Sequence, residues 1–281
     1  GMTSKRRKCL KITYASGHSI VVTPDHRVQT LNSALEQVWF EAADLKIGMQ
    51  GILPFGTNLW SKHDTTLRTG FIQNSHPNAK QFEPLKKVTP ELARLVGYII
   101  SDGFMNQNTI GFINTDDGVI SDFIHCVKSV SGYEPDVSVG MKLQGNIKSK
   151  VPYTNVFLHG SNFVGWLYHI GFVGTNSHNK EIPPFILESS DSIVKNCLRA
   201  IFDCDGYVDE TRVGISLSSI NLVRQISLLM QNIGIFGKFT EFTNRSSLIK
   251  HRAADDVRNK CASWVCTNAE GTVLYADLIG T

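Results

Sequence analysis

The sequence has no Cys-x-x-Cys pair, and its six cysteines are dispersed, most of them inside apolar segments. That pattern excludes the usual structural zinc site and a disulfide framework, and it fits reduced packing residues in an intracellular protein. No apolar run is long enough to span a membrane, and the basic start around Lys5, Arg6, Arg7 and Lys8 is not followed by the apolar stretch of a leader. The expectation is an intracellular protein of cytoplasm or nucleoid, without signal peptide or transmembrane segment. A strong charge of either sign is lacking too: 28 Lys and Arg face 25 Asp and Glu, a formal net charge of +3. Nucleic acid is thereby permitted as a partner and not demanded, so the distribution of charge has to decide. At 281 residues the chain is long enough for one large or two smaller domains.

What is present is a repeat. With a shift of 103 residues, DGFMNQNTIGFINTDDGVISDFI from Asp102 falls without a gap over DGYVDETRVGISLSSINLVRQIS from Asp205. Leu95 meets Leu198, Gly103 meets Gly206, Phe104 meets Tyr207 and Gly111 meets Gly214, a self-match better explained by duplication than by chance. Each copy opens on a helical pattern that ends in Asp-Gly, ELARLVGYIISDG and SIVKNCLRAIFDCDG. A hairpin follows, then an amphipathic helix, a second pair of strands around a basic loop, and a last helix. The predicted unit is helix, hairpin, helix, hairpin, helix, present twice.

Small residues four apart lie on each first helix, Gly97 and Ser101, then Ala200 and Cys204. Such faces let two helices approach closely, and the packing would bring Asp102 and Asp205 side by side. The plainer alternative is two unrelated helix ends with exposed acids. Paired carboxylates repel and are commonly held by an oxygen-loving divalent cation, Mg²⁺ first, in a site that can hydrolyse a phosphodiester. Glycoside hydrolysis also uses paired acids, but there one partner must be protonated. Matched basic loops favour phosphate. The first carries Lys142, Lys148 and Lys150, the second Arg245, Lys250 and Arg252, followed by Arg258 and Lys260. Two positive loops related by a two-fold suit a duplex backbone, whereas one alone reads as solvated surface.

LVGYIISDG and LRAIFDCDG resemble the two signature motifs of single-chain LAGLIDADG homing endonucleases. The resemblance implies that the motif helices form the interface between pseudo-symmetric halves. Asp102 and Asp205 would be catalytic and would bind Mg²⁺, and saddle-shaped antiparallel sheets would hold a long asymmetric double-stranded DNA target. The earlier motif acid is Ile100 in one copy and Asp203 in the other, which implies that Asp203 is not essential. NKEIPPFIL resembles a further block of that family, making Lys180 a third catalytic candidate with an electrostatic or water-positioning role; the alternative is a surface lysine before a proline-started helix.

GHSIVVTPDHRV followed by VWFEAADLKIGMQGILP resembles the Hint domain of inteins, with Thr23 and His26 as the remnant of its splicing block; read without that family, Thr-Pro-Asp-His is an ordinary β-turn. Cys9 lies too close to His26 to be the splicing nucleophile, and counterparts of Lys180 and of the terminal His-Asn block would fall past Thr281. Splicing by this chain alone is not expected. The expected fold is α+β: a partial Hint-like β segment over residues 3–60, a connector over 61–88 that is either a plain linker or a DNA contact, and the endonuclease over 89–281. The latter divides into αββαββα repeats at 89–187 and 190–281. The expected activity is metal-dependent, site-specific double-strand cutting by a monomer of intein origin. The alternatives are a weakened or inactive DNA- or RNA-binding relative, or a fragment of a split intein.

Overall fold

The structure, a computed structural model, describes residues 7–143, 150–173, 176–243, 260–267, 275 and 279. Strands β1 (Leu10–Thr13) and β2 (Ser19–Val22) form an antiparallel hairpin, while β3 (Arg27–Leu31), β4 (Gln37–Glu41) and β5 (Gln50–Gly51) form a sheet in the order β4-β3-β5. Thr23 to His26 make the turn between β2 and β3, where the His26 N–H donates to the Thr23 carbonyl at 3.0 Å. The strands are loosely filled. A cavity of about 980 Å³ opens among β1, β3 and the 42–51 segment, and Phe236 of the second repeat forms part of its wall. The unit is nevertheless anchored, because the Phe239 N–H donates to the Ser16 carbonyl at 2.8 Å and His18 stacks on Phe236 at 5.9 Å between ring centres.

Residues 61–88 are a strap. Their one paired position is the bridge between Thr66 and Lys87, yet they dock along much of their length. The Thr65 N–H donates to Ser189 Oγ at 3.0 Å, the Asn74 N–H to Asn162 Oδ1 at 2.7 Å, and Tyr133 Oη to the Lys80 carbonyl at 2.6 Å. Phe82 meets Phe163 and Trp166 edge-on at 5.4 and 5.6 Å, and Leu67 and Val88 are buried. A plain linker makes no such contacts. Single apolar residues set among polar ones are enough, because each fills its own notch while the Asn and Ser side chains satisfy the backbone between them.

The first repeat begins where Thr89 Oγ1 caps the Leu92 N–H at 3.2 Å and Pro90 takes the first position of α1 (Pro90–Ile100). Next come β6 (Gly103–Met105), β7 (Thr109–Asn114), α2 (Asp117–Ser131), β8 (Asp136–Leu143), β9 (Lys150–His159) and α3 (Ser161–His169). After the single turn of α4 (Pro184–Leu187), the second repeat runs α5 (Asp191–Asp205), β10 (Gly206–Val208), β11 (Val213–Leu217), α6 (Ile220–Ile233), β12 (Lys238–Thr243) and β13 (Lys260–Cys266). The sheets have the same antiparallel order, β6-β7-β9-β8 and β10-β11-β13-β12. Even the caps recur in register: Asp116 Oδ1 accepts from the Val119 N–H at 2.9 Å, and Ser219 Oγ from the Leu222 N–H at 3.2 Å. Of the segment predicted as the last helix, Tyr275 and Ile279 are described, and both are buried.

α1 and α5 pack against each other along the small residues. Ser101 Oγ donates to the Gly97 carbonyl at 3.0 Å and reaches the Ile201 carbonyl of the other helix at 3.5 Å. A methyl group on Gly97 would lie 2.6 Å from the Cys197 carbonyl oxygen and 2.8 Å from the Ala200 Cβ. Backbone cannot yield as a flexible side chain does, so this contact sets the distance between the helices. Alanine is worth about 1 kcal/mol over glycine in a helix, but overpacking a close interface typically costs about 1–3 kcal/mol. Gly97→Val, which adds bulk and gains less propensity, is therefore expected to destabilise the fold by at least about 2 kcal/mol. A lower urea midpoint would be the sign, and an unchanged midpoint would show that the helices can separate freely.

Candidate active site

Two close helices that end together deliver two carboxylates. Asp205 is the last residue of α5, whereas α1 stops at Ile100 and carries Asp102 in the turn just beyond it. Asp102 is exposed and accepts a 2.8 Å hydrogen bond from Asn114 Nδ2 at the end of β7. Asp205 is half-buried. Burial first, and then the neighbouring Asp102 charge, push its carboxyl up to about 6, against the opposing pull of Lys180.

Lys180 completes the cluster. Its Nζ donates to the Ser101 carbonyl at 2.7 Å and the Gly103 carbonyl at 3.4 Å, the two backbone groups flanking Asp102. Burial lowers its pKa, while Asp205 and Asp102 oppose that shift. The segment that carries it is pinned to the start of the second repeat's α6. Ser219 Oγ donates to the Lys180 carbonyl at 2.7 Å, and the Ile182 N–H donates to Gln225 Oε1 at 2.8 Å. The lysine of one repeat is thus positioned by a helix of the other. Cys204 lies between the acids, and burial together with their charges holds it as a neutral thiol.

Asp102, Asp205 and Lys180 therefore come together. Asp203 turns away into a separate cleft, where Arg199 Nε stands 3.7 Å from its carboxylate; burial raises its pKa and Arg199 opposes that. Thr23 and His26 belong to the turn after β2, where a hydrogen bond from the Thr23 hydroxyl holds the exposed Asp25 carboxylate low. Lys142 and Lys150 sit at the facing ends of β8 and β9, with Lys142 paired to Val151 and Lys150 to Leu143. Lys148, Arg245, Lys250, Arg252 and Arg258 lie outside the described residues, and Lys260 opens β13.

Asn114 is the site residue that sequence reasoning missed. Its Nδ2 holds Asp102, and its Oδ1 accepts from the Thr115 and Asp116 N–H groups at 2.7 and 2.9 Å, which fixes the amide's orientation. The repeat concealed it, because the equivalent position in the second copy is Leu217. The usable signal was an Asn ending a strand two residues before a helix-capping Asp.

A family model described as a LAGLIDADG-like domain matches residues 192–255, a stretch that begins on α5 and runs past β12. Over 164 residues the chain is 24% identical to the glutamine–fructose-6-phosphate aminotransferase (isomerizing) of Methanocaldococcus jannaschii, covering 57% of this chain and 14% of that protein. Over 249 residues it is 22% identical to the replication factor C small subunit of Thermococcus kodakarensis, covering 88% of this chain and 24% of that protein. The chain thus spans less than a quarter of the length of either relative. Among solved structures, the homing endonuclease I-DmoI in complex with DNA and calcium is similar, with a TM-score of 0.45 and 10% identity over 68% of this chain and 90% of that one.

The charge arrangement has a direct consequence for stability. The native Asp205 carboxyl keeps its proton up to about pH 6, whereas the unfolded one loses it near the ordinary carboxylate value. The folded state therefore binds more protons in that window, and its stability falls as pH rises through it. In metal-free protein, Asp205→Asn is expected to gain about 1–2 kcal/mol at pH 7, allowing for solvent screening, and almost nothing at about pH 4. Urea titrations with EDTA at both pH values check this, and an equal gain at both would contradict it.

Proposed function

We propose that this chain is a site-specific, Mg²⁺-dependent endonuclease of the homing type, acting as a monomer on a long asymmetric double-stranded DNA target. The observation that carries this reading is the meeting of Asp102 and Asp205 beside Lys180 where α1 and α5 end together. Two hard carboxylate oxygens, one with its pKa raised first by burial and then by the charge of the other, are a donor set that fits a small divalent cation. Mg²⁺ commonly takes one or two carboxylates and fills its remaining positions from water and phosphate. When bound, such an ion supplies charge stabilisation at the scissile phosphate and a more acidic water. Asn114 orients the Asp102 carboxylate, and Lys180 holds a fixed positive charge where negative charge accumulates during phosphate attack. The two antiparallel sheets are the DNA-bearing surfaces of this reading, with Lys142, Lys148, Lys150, Arg245, Lys250 and Arg252 as phosphate contacts.

In the same reading the chain derives from an intein, and its β-rich start, with Thr23 and His26, is a Hint remnant. The relatives support this. An aminotransferase and a replication factor subunit share no task, yet each resembles this chain over a minor part of its own length. A segment common to otherwise unrelated proteins is what a mobile insertion leaves.

The test is cutting of the intein-free host site, or of targets selected from a random duplex library, in Mg²⁺ with an EDTA control. Asp102→Asn and Asp205→Asn are each expected to slow cutting by at least about 100-fold while binding persists. Full activity in the double variant would overturn the assignment. Binding with no cutting by the unaltered protein would leave a DNA-binding protein in its place. Lys180 stands against the two carbonyls that flank Asp102, so Lys180→Met is expected to slow cutting of one strand by about 10–100-fold. Nicked and linear plasmid on one gel separate the two steps.

A further inference from the structure

The two four-stranded sheets are built on one plan and end on opposite charges. Strand pairing defines one row of residues across each. In the first repeat Phe104 pairs with Gly111, Gly111 with Phe157 and Phe157 with Asp136. In the second Tyr207 pairs with Gly214, Gly214 with Val265 and Val265 with Lys238. Cross-strand partners share a face, and here it is the outer one, because Val156 and Leu158 on either side of Phe157, and Trp264 and Cys266 on either side of Val265, are buried in the core. The rows correspond step by step. The Phe104 ring takes the space that a Cβ on Gly111 would need, and the Tyr207 ring does the same at Gly214. At the edge strands the likeness stops, since the place of Asp136 in one sheet is the place of Lys238 in the other. A constant shift of 103 hides this pair, because it sets Asp136 against the buried Phe239, one residue too far.

We infer that Asp136 and Lys238 read two-fold-related base pairs of the DNA target and so set which way round the chain lies on it. The inference rests on the reading proposed above, in which the sheets bear the DNA. Both side chains are presented outward. Lys238 is exposed, and the Asp136 side chain is 82% exposed, with His159 Nε2 at 3.8 Å, beyond hydrogen-bond distance. His159 is hydrogen-bonded to Thr109 Oγ1 at 3.0 Å and stacked on Phe157 at 6.2 Å, which puts Asp136 on the same outer face. Phosphates run along both edges of a duplex groove, so a carboxylate on a DNA-bearing face is repelled by the backbone. Its favourable partner is a base amino group, cytosine N4 in the major groove. An ammonium group in the equivalent place takes guanine, whose O6 and N7 are both acceptors. A palindrome would offer the same base to both places and mismatch one of the two residues. A target with cytosine before Asp136 and guanine before Lys238 satisfies both in one orientation; turned round, the carboxylate meets acceptors and the ammonium meets an amino group.

Selection of bound sequences from a random duplex library by the full chain in EDTA tests this without any cutting. The unaltered chain is expected to select a target that departs from a palindrome at one symmetric pair of positions. Asp136→Lys is expected to change cytosine to guanine at one of them, and Lys238→Asp to change guanine to cytosine at the other, each making the pair palindromic. The double exchange restores the asymmetry with the two bases interchanged. In titrations each variant should prefer its own selected base pair to the original by at least about fivefold. Both residues are exposed, so the variants should fold, which circular dichroism checks. Where a reversed charge weakens all DNA binding, Asp136→Ala and Lys238→Ala serve instead, each relaxing the preference at its own position. Unchanged base preferences, changes at positions unrelated by the two-fold, or a uniform change in affinity with no change of preferred base, the mark of a phosphate contact, would overturn the proposal. A chain that selects no sequence would overturn the endonuclease reading as well, whereas a chain that selects its target through other residues leaves that reading standing.

Discussion

The contact between α1 and α5 at Gly97 and Ala200 is the constraint on which the rest depends. A helix pair brought this close has little room for side chains between the backbones, so its register is set by small residues and by Ser101 bonding across to Ile201. That register puts the ends of both helices at one place. Each helix continues into a hairpin, so the same contact sets where the two four-stranded sheets begin. Architecture and site follow from one interface.

The site stores unfavourable electrostatic energy. Asp205 is half-buried beside a second carboxylate, and the protein tolerates this because Lys180 opposes the repulsion and Asn114 steadies the partner. The strain is asymmetric. Asp102 is exposed and hydrogen-bonded to an amide, while the corresponding place beside Asp205 holds Leu217. A duplicated ancestor with equal halves has no reason to keep both alike once each contributes a single acid, and the surroundings of the two acids have diverged while the acids, the glycines after them, the sheet order and the helix caps are kept.

The repeat was legible in the sequence because duplication preserves register: the Asp-Gly ends, the hairpins and the caps at Asp116 and Ser219 all recur at one spacing, and single-sequence periodicity gains certainty when it is seen twice. The small-residue faces were legible for the same reason. Asn114 was not, since a residue without a partner in the other copy is invisible to self-comparison. The strap was not, since Leu67 and Phe82 are isolated apolar residues with no period, and their burial depends on notches formed by α3 and its neighbours, far away in sequence. The two acids of LRAIFDCDG could be told apart only by the repeat. Two positions along a helix turn the side chain by more than half a circle, which sends Asp203 to a cleft and Asp205 to the shared site.

The strap and the β-rich start bear on the same interface from outside. The start docks on the second repeat through Phe236 and Phe239, while the strap returns along the first repeat and touches Ser189 at the junction of the two. A chain that binds both repeats outside their shared interface shortens the distance over which they can part, which matters because the α1–α5 contact is intolerant of slippage. The segment carrying Lys180 acts in the same sense, since it leaves the first repeat and is held by Ser219 and Gln225 of the second. The lysine is therefore in place only when the repeats are in register, and the charge balance of the two acids is tied to the packing of the helices that present them.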